Sequence, residues 1–271
     1  MSDKFNVGGV TLNSRFFLGT ALYSSPKVLA DAIDAAETEV ITVGLKRQLP
    51  AGANPLTQST TEGVDNPFFQ ILKQSGKYLL PNTAGCKTAK EAITLAYMAR
   101  EIFETNWIKL EVIGDDYTLQ PDPINLIEAA EQLVKDGFEV FPYCTDDLVT
   151  CRRLLDVGCN VLMPWGAPIG SGQGLTNPHA LRILRARLPD VPLIVDAGIG
   201  SPADAALAMQ MGFDGVLLNS AVAKAHDSVK MAEAFKLAIR SGRLAYEAGI
   251  MPKQDMATPS TPVTGRPFLL D

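Results

Sequence analysis

The sequence predicts an α/β protein, a single-domain (β/α)8 TIM barrel over residues 1–248 followed by a proline-rich tail or arm over residues 249–271. Short apolar runs of strand length alternate along the chain with amphipathic helical stretches, which is typical of a parallel sheet with right-handed crossovers. Eight such units in about 250 residues match the usual size of a (β/α)8 barrel. The alternative is an open doubly wound sheet, which normally has fewer strands. It would also carry a dinucleotide fingerprint after the first strand, and Gly19-Thr20-Ala21 supplies none.

The predicted strands are short apolar runs between turn residues. They cover residues 15–20, 40–45, 77–80, 107–112, 139–142, 160–164, 192–196 and 215–219. Several helix starts are indicated by a capping residue directly before a proline, at Ser25-Pro26, Asp122-Pro123, Asn177-Pro178 and Ser201-Pro202. Helices on either side of the fourth strand are predicted from apolar residues at helical spacing, namely Ala92, Ala96, Ala99 and Phe103, and then Leu126, Ala130 and Leu133.

Two segments do not fit the alternating pattern. Residues 46–66 are rich in Pro, Gly, Asn, Gln, Ser and Thr, which predicts a long loop after the second strand. The tail contains four prolines and therefore cannot be a helix. Our hypothesis is that both segments help to cover the barrel mouth or to dock a protein partner.

The composition bounds the class of protein. With 271 residues, 46% of them hydrophobic and 20% charged, the chain can bury a full core. A net charge of -6 with dispersed Lys and Arg argues against nucleic acid as the main partner, but allows a small anionic substrate. No apolar run approaches the roughly 18 to 20 residues that cross a bilayer, and the first residues do not form a signal peptide. We therefore expect no membrane association and a cytoplasmic location.

The cysteines and histidines favour no metal site. Cys86, Cys144, Cys151 and Cys159 form no C-x-x-C pair and share no spacing with histidines, so we interpret them as small buried apolar residues. The chain has two histidines, both away from the strand ends, which argues against a His-based triad. No metal or cofactor is expected.

Lys109 is the strongest catalytic candidate. Side chains alternate along a strand, so Trp107, Lys109 and Glu111 should share one face of the fourth strand and its apolar neighbours the other. An amine on the inner face of a barrel is a plausible nucleophile toward a carbonyl, because burial disfavours its charged form. Glu111, two residues on, could move protons. The alternative is a Lys–Glu pair on a solvated face.

The strand ends supply further candidates, because (β/α)8 enzymes place their chemistry there. Asp196 ends the seventh strand and should face Lys109 across the barrel mouth; alternatively, it is only a helix cap or turn residue. The segment from Ala197 and Gly198 to Ser201 resembles a phosphate-binding loop that opens a helix. The other candidates for phosphate binding are Gly170, Asn219 and Ser220.

Six motifs together resemble the thiazole synthase family of the bacterial thiamin pathway. They are Pro-Asn-Thr-Ala-Gly at 81–85, Asn-Trp-Ile-Lys-Leu-Glu at 106–111, Pro-Tyr-Cys at 142–144, Gly-Ala-Pro-Ile-Gly-Ser at 166–171, Val-Asp-Ala-Gly-Ile-Gly at 195–200, and Asn219-Ser220. The resemblance extends to about Gly265. Ser220 stands where threonine is commoner in the family, which preserves a hydroxyl group.

The resemblance implies a reaction on 1-deoxy-D-xylulose 5-phosphate through a Schiff base on Lys109, with Glu111 and Asp196 in proton transfer. It also implies that five residues bind the substrate: Gly170, Ala197, Gly198, Asn219 and Ser220. Dehydroglycine (2-iminoacetate) would supply carbon and nitrogen, and the product would be a phosphorylated thiazole carboxylate. Sulfur would come from the C-terminal thiocarboxylate of a ubiquitin-like carrier protein. The family pattern further implies a homo-oligomer, for which we expect a homotetramer.

Two alternatives stay open from the sequence. A sugar-phosphate aldolase-like barrel would share the Schiff-base lysine and the phosphate loops, but would not use a carrier protein. An inactive barrel would only bind phosphorylated ligands or the carrier.

Overall fold

The computed structural model describes residues 4–45 and 67–260, and it confirms the predicted barrel. The predicted loop at residues 46–66 lies outside the described residues. Eight parallel strands form the barrel: β3 (Phe16–Gly19), β4 (Val40–Gly44), β5 (Tyr78–Asn82), β6 (Trp107–Leu110), β7 (Glu139–Cys144), β8 (Met163–Pro164), β9 (Ile194–Asp196) and β10 (Gly215–Leu218). The described helices are α1 (Pro26–Ala36), α2 (Pro67–Gln74), α3 (Ala89–Phe103), α4 (Pro123–Lys135), α5 (Leu148–Asp156), α6 (Pro178–Arg187), α7 (Pro202–Gln210), α8 (Ser220–Ala223) and α9 (Ser228–Ala248).

The sheet closes between β8 and β9. The hydrogen-bonded order runs β8-β7-β6-β5-β4-β3-β10-β9, and two parallel bridges, Leu162 to Leu193 and Trp165 to Asp196, join its two ends. Closure brings the carboxyl ends of all eight strands to one mouth, where the candidate residues should meet.

The four helix starts predicted from capping residues before prolines are confirmed. The side chains of Ser25, Asp122, Asn177 and Ser201 each accept a hydrogen bond from a backbone N–H in the first turn of α1, α4, α6 and α7. The proline that follows has no N–H to satisfy and a backbone angle already suited to a helix. Local sequence therefore fixes where these helices begin.

Two hydrophobic layers surround the strands. Ile108, Leu110 and Val112 belong to the layer between strands and helices, which also contains the apolar faces predicted for α3 and α4. Trp107 belongs to a separate cluster inside the barrel. The predicted alternation along β6 is confirmed, and it directs Lys109 and Glu111 toward the barrel interior.

An antiparallel hairpin that the sequence analysis missed precedes the barrel. It consists of β1 (Phe5–Val7) and β2 (Val10–Leu12), joined by Gly8 and Gly9, both with positive φ. Its apolar side chains pack with the interior cluster, and Trp107 Nε1 donates a hydrogen bond to the carbonyl of Gly8 at 3.0 Å. The hairpin thus closes the end of the barrel opposite the mouth.

All four cysteines are buried free thiols, as predicted. Residues 4–45 and 67–260 contain no cluster of His, Cys, Asp and Glu suited to a metal ion. Within the same ranges, no helix is both long and apolar enough to cross a membrane. Helix α9 ends at Ala248 and residues 249–260 are exposed, so the role suggested for the tail stays a prediction.

Candidate active site

A cavity of about 490 Å³ opens at the carboxyl ends of the strands. All eight residues that the sequence analysis selected line it: Lys109, Glu111, Gly170, Asp196, Ala197, Gly198, Asn219 and Ser220. The fold therefore brings together candidates from β6 and from the segments at or after β8, β9 and β10. Their individual roles stay predictions.

Lys109 lies between two carboxylates at the base of this cavity. Its Nζ is 2.6 Å from Asp196 Oδ2 and 3.3 Å from Glu111 Oε1. The three residues are almost fully buried, with exposed fractions of 5% for Lys109, 5% for Glu111 and 1% for Asp196. A solvated Lys–Glu pair, the alternative reading of the sequence, is therefore wrong.

The charges of this cluster reflect two opposing effects. Burial acts to lower the pKa of Lys109, but Asp196 and Glu111 outweigh it, so the pKa of Lys109 lies above its ordinary value. Burial raises the pKa of Asp196 to about 6, although Lys109 acts in the opposite direction. Burial does disfavour the charged form of the amine, as expected, but the two carboxylates more than offset this effect. At neutral pH the lysine is an ammonium, and it must transfer its proton before it can act as a nucleophile.

Thr83, which follows β5, holds the backbone that carries Glu111. Its Oγ1 donates to the carbonyl oxygen of Glu111 and accepts from the N–H of Glu111, both at 2.8 Å. The backbone N–H of Thr83 also donates to the carbonyl of Lys109 at 3.1 Å. Because β6 ends at Leu110, this buried hydroxyl replaces the strand ladder at the position of the carboxylate. Sequence reasoning quoted Thr83 only as part of the motif at 81–85 and gave it no role.

Tyr143 lies on the inner side of β7 beside the same lysine. It is fully buried, and its ring centroid is 5.7 Å from Lys109 Nζ. The electron-rich face of an aromatic ring attracts a cation at this distance. Burial and the two neighbouring carboxylates raise the pKa of the Tyr143 phenol, which keeps it neutral. Sequence reasoning quoted this tyrosine only as part of a motif.

The glycine-containing loops after β8, β9 and β10 line the cavity as well, and two of them are close neighbours. A Cβ built on Gly170 would lie 3.8 Å from Ser220 Oγ, so the loops after β8 and β10 are neighbours. Ala197 and Gly198 both have positive φ, 70° and 78°, which turns the chain sharply after Asp196. A Cβ on Gly198 would come within 2.3 Å of the backbone nitrogen of Ala167, so only glycine fits there.

One part of the predicted phosphate loop is corrected by the structure. The N-terminus of α7 is already occupied by its own carboxylate, because Asp204 Oδ2 accepts from the N–H groups of Gly200 and Ser201 at 3.1 Å and 2.8 Å. Ser201 therefore opens the helix as predicted, but these N–H groups are not free for a phosphate. The candidate phosphate subsite is therefore limited to Gly170, Gly198 and the first residues of α8.

The start of α8 faces the cavity with its first N–H groups uncapped by a side chain. Asn219 occupies the cap position of α8 without a capping hydrogen bond. Its Nδ2 donates instead to the carbonyl of Ala21 at 3.0 Å, which ties this loop to the segment after β3. The N–H groups of a first helical turn have no intrahelical partner, so those of Ser220 and Ala221 are suited to an anion.

The chain is similar to known proteins over nearly its whole length. Residues 6–262 match the family model described as thiazole biosynthesis protein ThiG. The "Thiazole synthase" of Rhodopseudomonas palustris BisB18 is 56% identical over 263 residues, which cover 97% of either chain. That of Cupriavidus metallidurans CH34 is 57% identical over 268 residues, which cover 99% of this chain and 94% of the relative.

A solved structure is similar over nearly the same length. The BexX/CysO complex of Amycolatopsis orientalis contains a chain that matches with a TM-score of 0.78 and 29% sequence identity, covering 93% of this chain and 98% of that one.

Proposed function

The chain belongs to the thiazole biosynthesis protein ThiG family, and from that premise we propose that Lys109 forms an imine with 1-deoxy-D-xylulose 5-phosphate. The activity is that of a thiazole synthase, a sulfur-transferring enzyme of thiamin biosynthesis. The observation that carries the proposal is the position of Lys109, which is buried in the cavity with Asp196 Oδ2 at 2.6 Å and Glu111 Oε1 at 3.3 Å. The alternatives of an aldolase-like or an inactive barrel have no comparable support.

Imine formation begins with a proton transfer. Lys109 gives its proton to Asp196, whose raised pKa of about 6 makes it a better acceptor than an exposed aspartate. The free amine attacks the ketone carbon of the sugar, and the carbonyl oxygen leaves as water once it has been protonated. The product is an iminium, which replaces the ammonium as the positive charge between Glu111 and Asp196.

The two carboxylates then serve the later steps. An iminium acidifies the neighbouring C–H, so a carboxylate can remove that proton and return it elsewhere. Repetition of this exchange moves the carbonyl along the sugar. The thiocarboxylate sulfur of the carrier then adds to the carbonyl carbon, and hydrolysis of the acyl–sulfur bond releases the carrier as a carboxylate. Dehydroglycine supplies the remaining carbon and nitrogen, and ring closure gives the phosphorylated thiazole carboxylate. Glu111 and Asp196 are the groups within reach of Lys109 for these transfers.

We assign the phosphate of the sugar to the side of the cavity that lies opposite β5, where the loops after β8, β9 and β10 are found. Gly170, Gly198 and Ser220 line this side of the cavity, and we assign the phosphate to their backbone N–H groups because glycine allows an anion close approach to the backbone. Ala197 and Asn219 shape the loops that present these groups. Binding by backbone groups also explains why serine at 220 can stand in for the threonine that is commoner in the family.

Sulfur is assigned to a protein donor, a ubiquitin-like carrier with a C-terminal thiocarboxylate. The similar BexX chain was solved in complex with a second protein, CysO, which supports a protein partner at this barrel. We further assign a homotetramer as the assembled form. Light scattering of the purified protein, alone and with the thiocarboxylated carrier, measures both assemblies.

The proposed imine is tested by reductive trapping. The protein is incubated with 1-deoxy-D-xylulose 5-phosphate and borohydride, and the intact mass is compared for wild type, Lys109→Ala and the control Lys90→Ala, an exposed lysine on α3. A reduced adduct is expected in wild type and in the control but not in Lys109→Ala, and peptide mapping should place it on Lys109. No adduct in wild type, or an adduct on another lysine, contradicts the proposal.

A further inference from the structure

One wall of the cavity lies opposite the proposed phosphate subsite and is not part of it. In the closed ring of eight strands, β5 and β9 stand opposite each other, because three strands separate them in either direction. Gly198 follows β9 and Lys87 follows β5, and both residues line the cavity. Lys87 therefore belongs to the wall that faces the proposed phosphate loops.

The charges on the cavity wall single out this lysine. Among the described residues that line the cavity, the positive side chains are Lys87, Lys109 and Lys224. Lys109 is neutralised by two buried carboxylates. Lys224 lies at the end of α8, on the phosphate side, and its backbone N–H bonds to the carbonyl of Ser220. Lys87 is thus the described cation at the far wall.

Lys87 has a partner that an anionic ligand can replace. Its Nζ is 2.6 Å from Asp116 Oδ2, and the side chains are 58% and 65% exposed. An ion pair exposed to this degree contributes little free energy, because water and salt screen it. The two residues come from different loops, after β5 and after β6, so neither is fixed to the other by local structure.

We propose that Lys87 binds the carboxylate of a small α-imino acid. In the absence of that ligand, Asp116 is the counter-ion of Lys87. The proposal rests on the proposed function, in which a phosphorylated sugar and dehydroglycine must bind together. Both substrates are anions, and binding them at opposite walls separates the two charges. Their reactive carbons then meet between the two walls, next to Lys109 at the base of the cavity.

The two members of the pair give opposite predictions. Lys87→Gln removes the cation, and we expect the KM for the imino acid, generated from glyoxylate and ammonium, to rise about 5- to 10-fold. Asp116→Asn removes the competing anion, and we expect the same KM to fall about 2- to 3-fold. The control is Lys90→Gln, which changes an exposed lysine outside the cavity lining and should leave this KM unchanged. A purely structural role of the pair would not move the two variants in opposite directions.

Borohydride trapping with the sugar phosphate alone separates this proposal from the proposed function. The trapped adduct on Lys109 should be the same in Lys87→Gln, Asp116→Asn and wild type, because the sugar does not use this wall. Failure of trapping in wild type overturns the proposed function itself. Intact trapping with an unchanged imino acid KM in Lys87→Gln overturns the subsite alone. A rise in the KM for the sugar phosphate would also overturn it, since Lys87 would then bind the phosphate.

Discussion

The ammonium nitrogen of Lys109 lies 2.6 Å from Oδ2 of Asp196, although the two residues come from β6 and β9, which are not neighbours in the sheet. The pair therefore spans the inside of the barrel and depends on its closure. Buried charges are costly unless they are paired, so each residue keeps the other in its ionised form. The same contact provides a short route for the proton that Lys109 must lose.

Acidification should stop imine formation through Asp196. The pKa of Asp196 is raised to about 6, so the carboxylate accepts a proton from Lys109 above this pH and is already protonated below it. The rate of adduct formation, trapped with cyanoborohydride because this reductant survives mild acid, should therefore fall about tenfold per pH unit below about pH 6. Asp196→Asn should lower the rate roughly 10²- to 10⁴-fold and remove this acid limb. The control Asp190→Asn, at an exposed position, should keep it. An acid limb that persists in Asp196→Asn would assign the titration to another group.

Thr83→Val should impair catalysis by releasing Glu111. The isosteric valine leaves the N–H and carbonyl of Glu111 without the two 2.8 Å bonds, which should cost about 1–3 kcal/mol of unfolding free energy. Because the carboxylate is then less well positioned, kcat should fall roughly tenfold or more while KM changes little. Thr83→Ser keeps the hydroxyl and should restore most of the activity. Thermal unfolding and steady-state kinetics of both variants measure this, and equal kcat values for valine and serine would contradict it.

The sequence was sufficient wherever local pattern decides the structure. The alternation along β6 predicted which side chains enter the barrel, and the capping residues before prolines predicted four helix starts. It also selected eight residues that now line one cavity, because strand ends of a parallel barrel share one mouth. The Gly8-Gly9 turn between apolar residues was an equally local signal, and the hairpin it forms could have been predicted.

The sequence was insufficient wherever neighbours from other strands decide the chemistry. Thr83 bonds to Glu111 only because β5 and β6 pair with Asn82 opposite Lys109, a register that no local pattern encodes. The direction of the Lys109 pKa shift depends on the distance to Asp196, which comes from three strands away. The carboxylate that occupies the start of α7 is equally a matter of side-chain placement.

Two alanine substitutions should separate packing from phosphate binding. Both Gly170 and Gly198 have positive φ, so either substitution should cost about 1 kcal/mol in backbone strain. At Gly198 the new methyl group would also lie 2.3 Å from the backbone of Ala167, and the total loss should reach about 3 kcal/mol or more. At Gly170 the nearest atom is Ser220 Oγ at 3.8 Å, so the methyl group fits but narrows the proposed phosphate subsite.

Two measurements distinguish the loss of stability from the loss of phosphate binding. One is thermal unfolding, and the other is the dependence of adduct formation on the concentration of the sugar phosphate. Gly170→Ala should mainly raise the concentration needed for half-maximal trapping, and Gly198→Ala should mainly lower the unfolding temperature. Half-maximal trapping at the wild-type concentration in a folded Gly170→Ala protein would remove Gly170 from the phosphate subsite.

The ring of Tyr143 should stabilise the positive charge at Lys109 throughout the reaction. Its centroid is 5.7 Å from Nζ in a buried setting, where such a contact is worth about 0.5–2 kcal/mol. The iminium carries the same charge at the same place as the ammonium, so the ring stabilises both of them relative to the neutral amine. Tyr143→Leu should therefore lower the pKa of Lys109 by about 0.4 to 1.5 pH units. Tyr143→Phe keeps the ring and loses only a 3.5 Å contact of the hydroxyl with the carbonyl of Leu119, so its Lys109 pKa should match wild type. The pH dependence of Lys109 acylation, followed by peptide mass spectrometry, measures this pKa, and thermal unfolding shows that both variants are folded. An equal Lys109 pKa in Tyr143→Leu and wild type, or an equal decrease in the leucine and phenylalanine variants, would show that the ring face does not act on the cation.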